Sequence, residues 1–269
     1  MVKKILFIIL NALFKYISKN TSKKAFLLNK IIIDANHSIG RGSGGPNSVK
    51  NEIKSIKNYL DHKEELLIID GGAHKGTYTD EIRTNFPNAY IHCFEPSKVN
   101  FDLLIDKYKE NKNIEVINCG LSDEDTSSFL FSDSEGSGLA SVNNRRLSHF
   151  DKEFKFKEEI KLIKFEDYWK KEISKKNIDL LKLDIEGNEL NALKGCGKAV
   201  NNIKIVQFEF GGANIDSKTY FQDFWYFFKE KNFTLKRITP FGEIEIDSYT
   251  EEEEYFLTTN YLAFNNESL

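Results

Sequence analysis

From residue 66 onward, short apolar runs alternate with segments whose apolar residues recur every three or four positions. Leu66-Leu67-Ile68-Ile69 is continuous and runs into Asp70-Gly71-Gly72. A short run without polar alternation predicts a strand buried on both faces. Residues 77–86 follow as a helix. Tyr90 to Phe94 is a second strand, ended by Glu95-Pro96. Ser97 to Tyr108 is helical, with Phe101, Leu104, Ile105 and Tyr108 on one face and Ser97 as N-cap. Ile114 to Ile117 is a third strand. The alternating Ser128-Phe129-Leu130-Phe131 reads as a strand outside the main series, and Ile160 to Phe165 as a further short strand. Leu180 to Leu183 leads to Asp184, and Ile203 to Phe208 leads to Glu209. Between them, Asn188 to Leu193 starts a helix that stops at Gly195. A helix predicted from Lys218 to Lys231 carries Phe221, Phe224, Trp225 and Phe228 as a core-packing stripe. Leu235 to Ile238 and Tyr261 to Phe264 are the last strands, framing a polar hairpin at Phe241-Gly242.

Strands alternating with helices predict an α/β fold with a mostly parallel sheet covered on both faces. The sheet domain is assigned to residues 66–266. Residues 1–65 read as an N-terminal helical segment with a Gly-rich loop. That loop, Asn36 to Ser48, holds Gly40, Gly42, Gly44, Gly45 and Pro46 and is the clearest break in the chain. After it, Val49, Ile53, Ile56 and Leu60 lie at helical spacing. At the start, Lys3-Lys4 precede an apolar stretch from Ile5 to Phe14, interrupted by Asn11. The stretch is shorter than the roughly 20 residues a membrane-spanning helix needs, and no small-x-small cleavage site follows it. Two readings stay open: a helix packed on the domain, or one lying in a membrane interface, which would make residues 1–20 a peripheral membrane contact.

Composition narrows the function. With 38 basic and 41 acidic residues the net charge is −3, which gives no bulk attraction to nucleic acid. Hydrophobic residues at 40% exclude a disordered chain. Cys93, Cys119 and Cys196 are odd in number and form no C-x-x-C, so buried thiols in a reducing, cytoplasmic compartment are expected.

The chemistry gathers at strand ends. In an open α/β sheet, ligands bind outside the carboxyl ends of the strands. Four such ends carry Asp70, Glu95, Asp184 and Glu209. The sharpest motif is the turn Asp70-Gly71-Gly72-Ala73-His74-Lys75-Gly76. As a dinucleotide fingerprint it is imperfect, because Ala73 replaces the second glycine. Asp70 is also badly placed for a pyrophosphate and suits a cationic ligand such as S-adenosylmethionine. Glu95 falls 19 residues after Gly76, at the end of the next strand, where an acidic residue hydrogen-bonds a ribose.

Asp70 to Gly76, Phe94-Glu95-Pro96, Leu121-Ser122-Asp123 and Leu183-Asp184-Ile185-Glu186-Gly187-Asn188-Glu189, in this order and spacing, resemble the FkbM-type methyltransferases over about residues 66–264. The resemblance implies a class I, Rossmann-like methyltransferase fold with a seven-stranded sheet, and S-adenosylmethionine as cofactor. It implies O-methylation of a sugar, glycan or glycan precursor. By the same resemblance, Asp70, Gly72 and Gly76 form the turn beside the amino-acid part of the cofactor, with His74 in that turn. Glu95, followed by Pro96, holds the ribose, Leu121 and Ser122 border the adenine, and Asp184 faces methyl group and acceptor. His74 stands where Asn is frequent, and Gly71 where Val or Ile is frequent.

An alcohol acceptor must lose a proton, so a positioned base is expected. Asp184 is the first choice, with Glu186 and Glu209 beside it and His74 as a weaker candidate. Glu186 reads equally as capping the next helix or pairing locally, and Glu209 as orienting the acceptor or the cofactor ammonium. The same three carboxylates would suit Mg²⁺, but no metal is assigned. Arg145 and Arg146 lie in an acceptor-lid segment with Ser137-Gly138-Leu139, either as a solvated basic patch or facing an anionic acceptor. Two alternatives stand beside the methyltransferase: an NAD-dependent oxidoreductase, which lacks a Tyr-x-x-x-Lys pair here, and a non-catalytic cofactor-binding module.

Overall fold

A computed structural model describes residues 2–18, 21–44, 48–60, 65–174 and 176–267. The chain opens with helices α1 (Val2–Ser18), α2 (Thr21–Ser38) and α3 (Val49–Lys57). Then come β1 (Leu67–Gly71), α4 (Thr77–Asn85), β2 (Tyr90–Phe94), α5 (Lys98–Tyr108) and β3 (Ile114–Ile117). Strands β4 (Gly120–Ser122), β5 (Thr126–Ser132) and β6 (Phe156–Lys164) precede α6 (Phe165–Lys171), β7 (Ile178–Leu183) and α7 (Glu189–Gly195). The last elements are β8 (Ile203–Phe210), α8 (Ala213–Ser217), α9 (Phe221–Glu230), β9 (Phe233–Thr239), β10 (Gly242–Glu245) and β11 (Thr259–Asn265).

The main sheet has the order β10-β9-β11-β8-β7-β1-β2-β3. Strands β3, β2, β1, β7 and β8 are parallel to their neighbours. β11 enters antiparallel between β8 and β9. Seven strands thus form the mixed, mostly parallel sheet, and the hairpin strand β10 adds an eighth at the edge. The parallel strands all deliver their carboxyl ends to one rim, which positions the site.

Alternate residues of the strands bury on opposite faces, as continuous apolar runs require. Ile69, Leu181, Leu183 and Phe208 pack with α6, α7 and α9 on one face. Ile68, Ile91, Leu180 and Ile205 pack with α3, α4 and α5 on the other. In α9, Phe221, Phe224 and Phe228 are fully buried, and the Phe224 ring stacks on Phe208 at 4.9 Å. Burial of each such side chain is worth about 1.5–3 kcal/mol. The helix expected from Lys218 begins only at Phe221, because Lys218 adopts φ +57° after α8. The Asp223 carboxylate then accepts the Tyr220 N–H at 2.9 Å and starts the new helix. Phe165, read as the end of a strand, is instead the first residue of α6.

The strands read outside the main series form a second sheet of order β4-β6-β5. Leu130, Ile160 and Leu162 make a small apolar cluster on it. α3 belongs to the core, since Ile53, Ile56 and Leu60 are buried against the sheet. Helices α1 and α2 contact each other, and among the described residues none of 2–38 is buried. No described helix is long and apolar enough to cross a membrane. Cys93, Cys119 and Cys196 are free and buried.

Candidate active site

The turn after β1 is shaped by contacts between neighbouring strands. Gly72 and Ala73 donate their N–H groups to the Phe94 carbonyl at 3.0 and 3.1 Å. Gly72 has φ +83°, and a Cβ there would lie 2.1 Å from the Asp184 carbonyl oxygen. Glycine is therefore required for the ends of β1 and β7 to approach. His74 has φ +49°, a region that His, Asn and Asp tolerate better than most residues. That explains why His can replace Asn here. Its N–H donates to Glu95 Oε2 at 2.8 Å, and its ring Nε2 donates to the Gly136 carbonyl at 3.0 Å. Burial lowers its pKa, so the ring is a neutral tether between this turn and the β5–β6 connection.

Glu95 is 5% exposed. Its carboxylate accepts the His74 N–H and, at 2.9 Å, the Ser97 N–H. Burial nevertheless pushes its pKa up to about 7. The Asn100 side chain also hydrogen-bonds this carboxylate, which borders the cavity.

A cavity of about 590 Å³, counting its open mouth, lies over the rim. Gly72, His74, Glu95, Pro96, Leu121, Asp184 and Glu186 all line it. The second sheet and the connection beyond β5 supply an apolar wall of Leu130, Ala140, Val142, Ile160 and Leu162. An apolar slot beside a carboxylate suits an adenine next to ribose hydroxyls, so the residues present fit S-adenosylmethionine.

Asp70, Gly76, Ser122 and Glu209, also expected at the site, lie outside the cavity lining. Asp70 points the other way. It is completely buried, accepts Thr79 Oγ1 at 2.7 Å, and stands 3.3 Å from Lys182 Nζ. The strand-end position predicts rim exposure, but the pleat sends this side chain into the layer beneath. Burial alone would lower the pKa of Lys182, but Asp70, Asp184 and Glu52 together raise it. Gly76 serves helix packing: a Cβ there would lie 2.3 Å from the Tyr108 hydroxyl, which donates to the Gly76 carbonyl at 3.0 Å. Ser122 turns toward Asp123 and packs against α7.

The loop after β7 carries the acidic residues. Asp184 has a side chain 43% exposed, 3.6 Å from Lys182 Nζ. Glu186 adopts φ +52° directly before Gly187 at φ +98°. Such a conformation costs a non-glycine residue energy and must be held in place. Glu189 does so: its carboxylate accepts the Ile185 N–H at 2.9 Å and the Gly187 N–H at 3.0 Å, while Ser141 Oγ donates to the Glu186 carbonyl at 2.7 Å. Glu189 therefore holds this loop, and Glu186 pairs locally instead of capping the helix. Glu186 is ion-paired with Arg145, whose Nε also stands 3.4 Å from Asp216. Burial and the like charge of Asp184 raise the Glu186 pKa despite Arg145. Glu209 is raised well above the carboxylate range by burial and by the nearby Asp184 and Glu186. Among the described residues, no three His, Cys, Asp or Glu side chains converge as a metal-ligand set.

No role was expected of Lys182 or of the apolar wall, nor of Asn188 and Glu189, although both stand in the motif after β7. Lys182 carried a signal, being a lone cation inside an apolar strand. The amide of Asn188 donates to the Leu121 carbonyl at 2.9 Å.

The sheet order and the site on its carboxyl rim are those of a class I, Rossmann-like methyltransferase fold. Residues 70–235 match the methyltransferase FkbM domain, and the chain belongs to that family. It is 26% identical over 186 residues to Methyltransferase sdnD of Sordaria araneosa, covering 58% of this chain and 72% of that protein. It is 24% identical over 148 residues to Methyltransferase 1 of Beauveria bassiana (strain ARSEF 2860), covering 49% of this chain and 59% of that one. The crystal structure of methyltransferase FkbM from Methylobacillus flagellatus KT superposes with a TM-score of 0.45 at 19% identity, over 77% of this chain and 45% of the other. The chain thus spans less than half the length of that solved relative.

Proposed function

We propose that this chain transfers the methyl group of S-adenosylmethionine to a hydroxyl of a sugar, glycan or glycan precursor. One observation carries the reading: Asp184, the most exposed acidic side chain of the β7 loop, borders the same cavity as Glu95. Bound there, S-adenosylmethionine supplies a methyl group already activated on a sulfonium. Glu95 would hold the ribose hydroxyls, and Pro96, Leu121 and Leu162 would flank the adenine. Asp184 would accept the proton of the acceptor hydroxyl, and the enclosing wall would exclude water and align the reacting groups. Asp184, Glu186 and Asn188 give that side of the cavity several hydrogen-bond acceptors, which suits a polyhydroxylated acceptor. The same acidic rim disfavours a phosphate backbone, supporting a small-molecule or glycan acceptor over nucleic acid. Three free buried thiols support a cytoplasmic location.

The test is a pair of measurements on the purified chain. S-adenosylhomocysteine should raise the melting temperature by linkage. Asp184→Asn should keep that shift while transfer of labelled methyl to a panel of sugars and glycan precursors falls about 100-fold or more. Loss of the shift in Asp184→Asn, or unchanged transfer, would remove Asp184 from this role.

A further inference from the structure

Helices α1 and α2 expose a large apolar surface that the catalytic domain does not cover. Phe7, Ile8 and Ile9 are consecutive in α1 and 66%, 65% and 58% exposed, so much of its circumference is apolar and open. In α2, Phe26 and Leu27 are 73% and 52% exposed. Contiguous exposed apolar surface of this kind marks an interaction site. The charge of the segment is equally uneven. Residues 1–38 hold seven lysines and one aspartate, a net of six positive, whereas the rest of the chain is nine negative.

We infer that the α1–α2 pair docks on an anionic lipid bilayer, lying in its interface. An apolar helix with a basic complement is the pattern that binds acidic headgroups while inserting side chains among the acyl chains. At 1.5 Å per residue, the 17 residues of α1 span about 26 Å, too short to cross a hydrocarbon core of about 30 Å, so the helix lies along the surface. A second copy of the chain is the less suitable occupant. Pairing two such surfaces would bring two sets of six positive charges together, whereas anionic lipid neutralises them.

The attachment of the pair gives this docking a direction. The Ile39 carbonyl accepts Arg237 Nε at 2.8 Å, the Gly42 N–H donates to Thr259 Oγ1 at 2.8 Å, and the Gly44 N–H donates to the Thr258 carbonyl at 2.8 Å. Arg41 is ion-paired with Glu253 at 2.9 Å. Thr259 starts β11 opposite Phe210, the last residue of β8, so the strap is fixed to the carboxyl rim that also bears Asp184 and Glu209. Docking of the pair therefore tethers this edge of the domain at the membrane, and an acceptor presented there follows if the function proposed above holds.

Flotation of the full chain with vesicles tests the docking. Vesicles of phosphatidylcholine and phosphatidylglycerol in equal amounts should carry the protein, and vesicles of phosphatidylcholine alone should not. Ile8→Glu combined with Phe26→Glu should lower binding roughly tenfold or more, as should Lys4→Gln combined with Lys30→Gln. All four side chains are exposed, and a cooperative thermal melt, which needs no ligand, confirms that each variant is folded. Equal binding by variants and parent, or equal binding to both vesicle types, would overturn the inference. So would failure to bind either vesicle, with dimers that the Ile8→Glu, Phe26→Glu variant disperses in sedimentation. None of these readouts depends on methyl transfer, so docking and catalysis fail separately.

Discussion

Asp70 and Glu95 end neighbouring parallel strands, yet their surroundings separate them completely. Asp70 meets Thr79 and Lys182 below the rim, while Glu95 meets two backbone N–H groups, the Asn100 side chain and an open cavity. Glu95 therefore has no cation to hold its charge, and burial pushes its pKa up to about 7 from 4.5. A carboxyl whose pKa is higher in the folded state than in the unfolded one stabilises the fold fully below about 4.5, and that contribution disappears as the pH rises through about 7. Ribose hydroxyls favour the ionised form, so ligand affinity changes in the opposite direction. The ligand-free chain should thus melt at lower temperature at pH 8 than at pH 5, while S-adenosylhomocysteine binds more tightly at pH 8. In Glu95→Gln both dependences should flatten. Affinity at pH 8 should fall by about ten- to a hundredfold, the worth of hydrogen bonds to a charged group. Calorimetric titration at the two pH values decides it.

Strands and helices were legible because each carries its own period, and the acidic strand ends showed which rim would hold the site. Which way each end residue faces was not legible, because that depends on register. In the β1–β7 pair, Asp70 stands opposite Lys182, so the pleat turns both side chains into the same buried layer. Nothing local in Asp70-Gly71-Gly72 records this; the partner lies more than a hundred residues away. The second sheet was hidden for a similar reason. The alternation of Ser128 to Phe131 announces a strand, but its pairing with β6 spans the whole intervening connection. Its service as the wall of the cavity emerges only when β4 and β6 pair in parallel. The Asp70–Lys182 contact makes a prediction about these two strands. Lys182→Met would leave a buried carboxylate without its cation and should cost about 3–5 kcal/mol in chemical denaturation. Adding Asp70→Asn should recover much of that loss, since the uncompensated charge is then gone. An additive double mutant would mean that the two groups do not interact.

At the scale of the molecule, core contacts reach past the expected division near residue 65. Among the first 60 residues, α1 and α2 bury no described side chain, whereas α3 buries Ile53, Ile56 and Leu60 against the sheet. α3 also carries Glu52 into the interior. There its carboxylate accepts Gln207 Nε2 at 2.6 Å and Asn260 Nδ2 at 3.0 Å, and Gln207 in turn accepts the Tyr78 hydroxyl at 2.7 Å. One helix outside the family match thus joins β8, β11 and α4 beneath the rim. Three buried aliphatic side chains are worth about 5–9 kcal/mol, comparable to the whole net stability of a domain. Removing α3 would also leave Gln207 and Asn260 without their partner, at a further cost of about 1–3 kcal/mol for each buried group left unsatisfied. Two truncations separate these roles. A chain lacking residues 2–38 should keep a cooperative melt and the full shift with S-adenosylhomocysteine, because nothing it loses touches the core. A chain lacking residues 2–60 should lose the cooperative transition and bind a hydrophobic dye. If the longer truncation still melts cooperatively near the parent temperature, α3 is an appendage, and the domain does begin at β1.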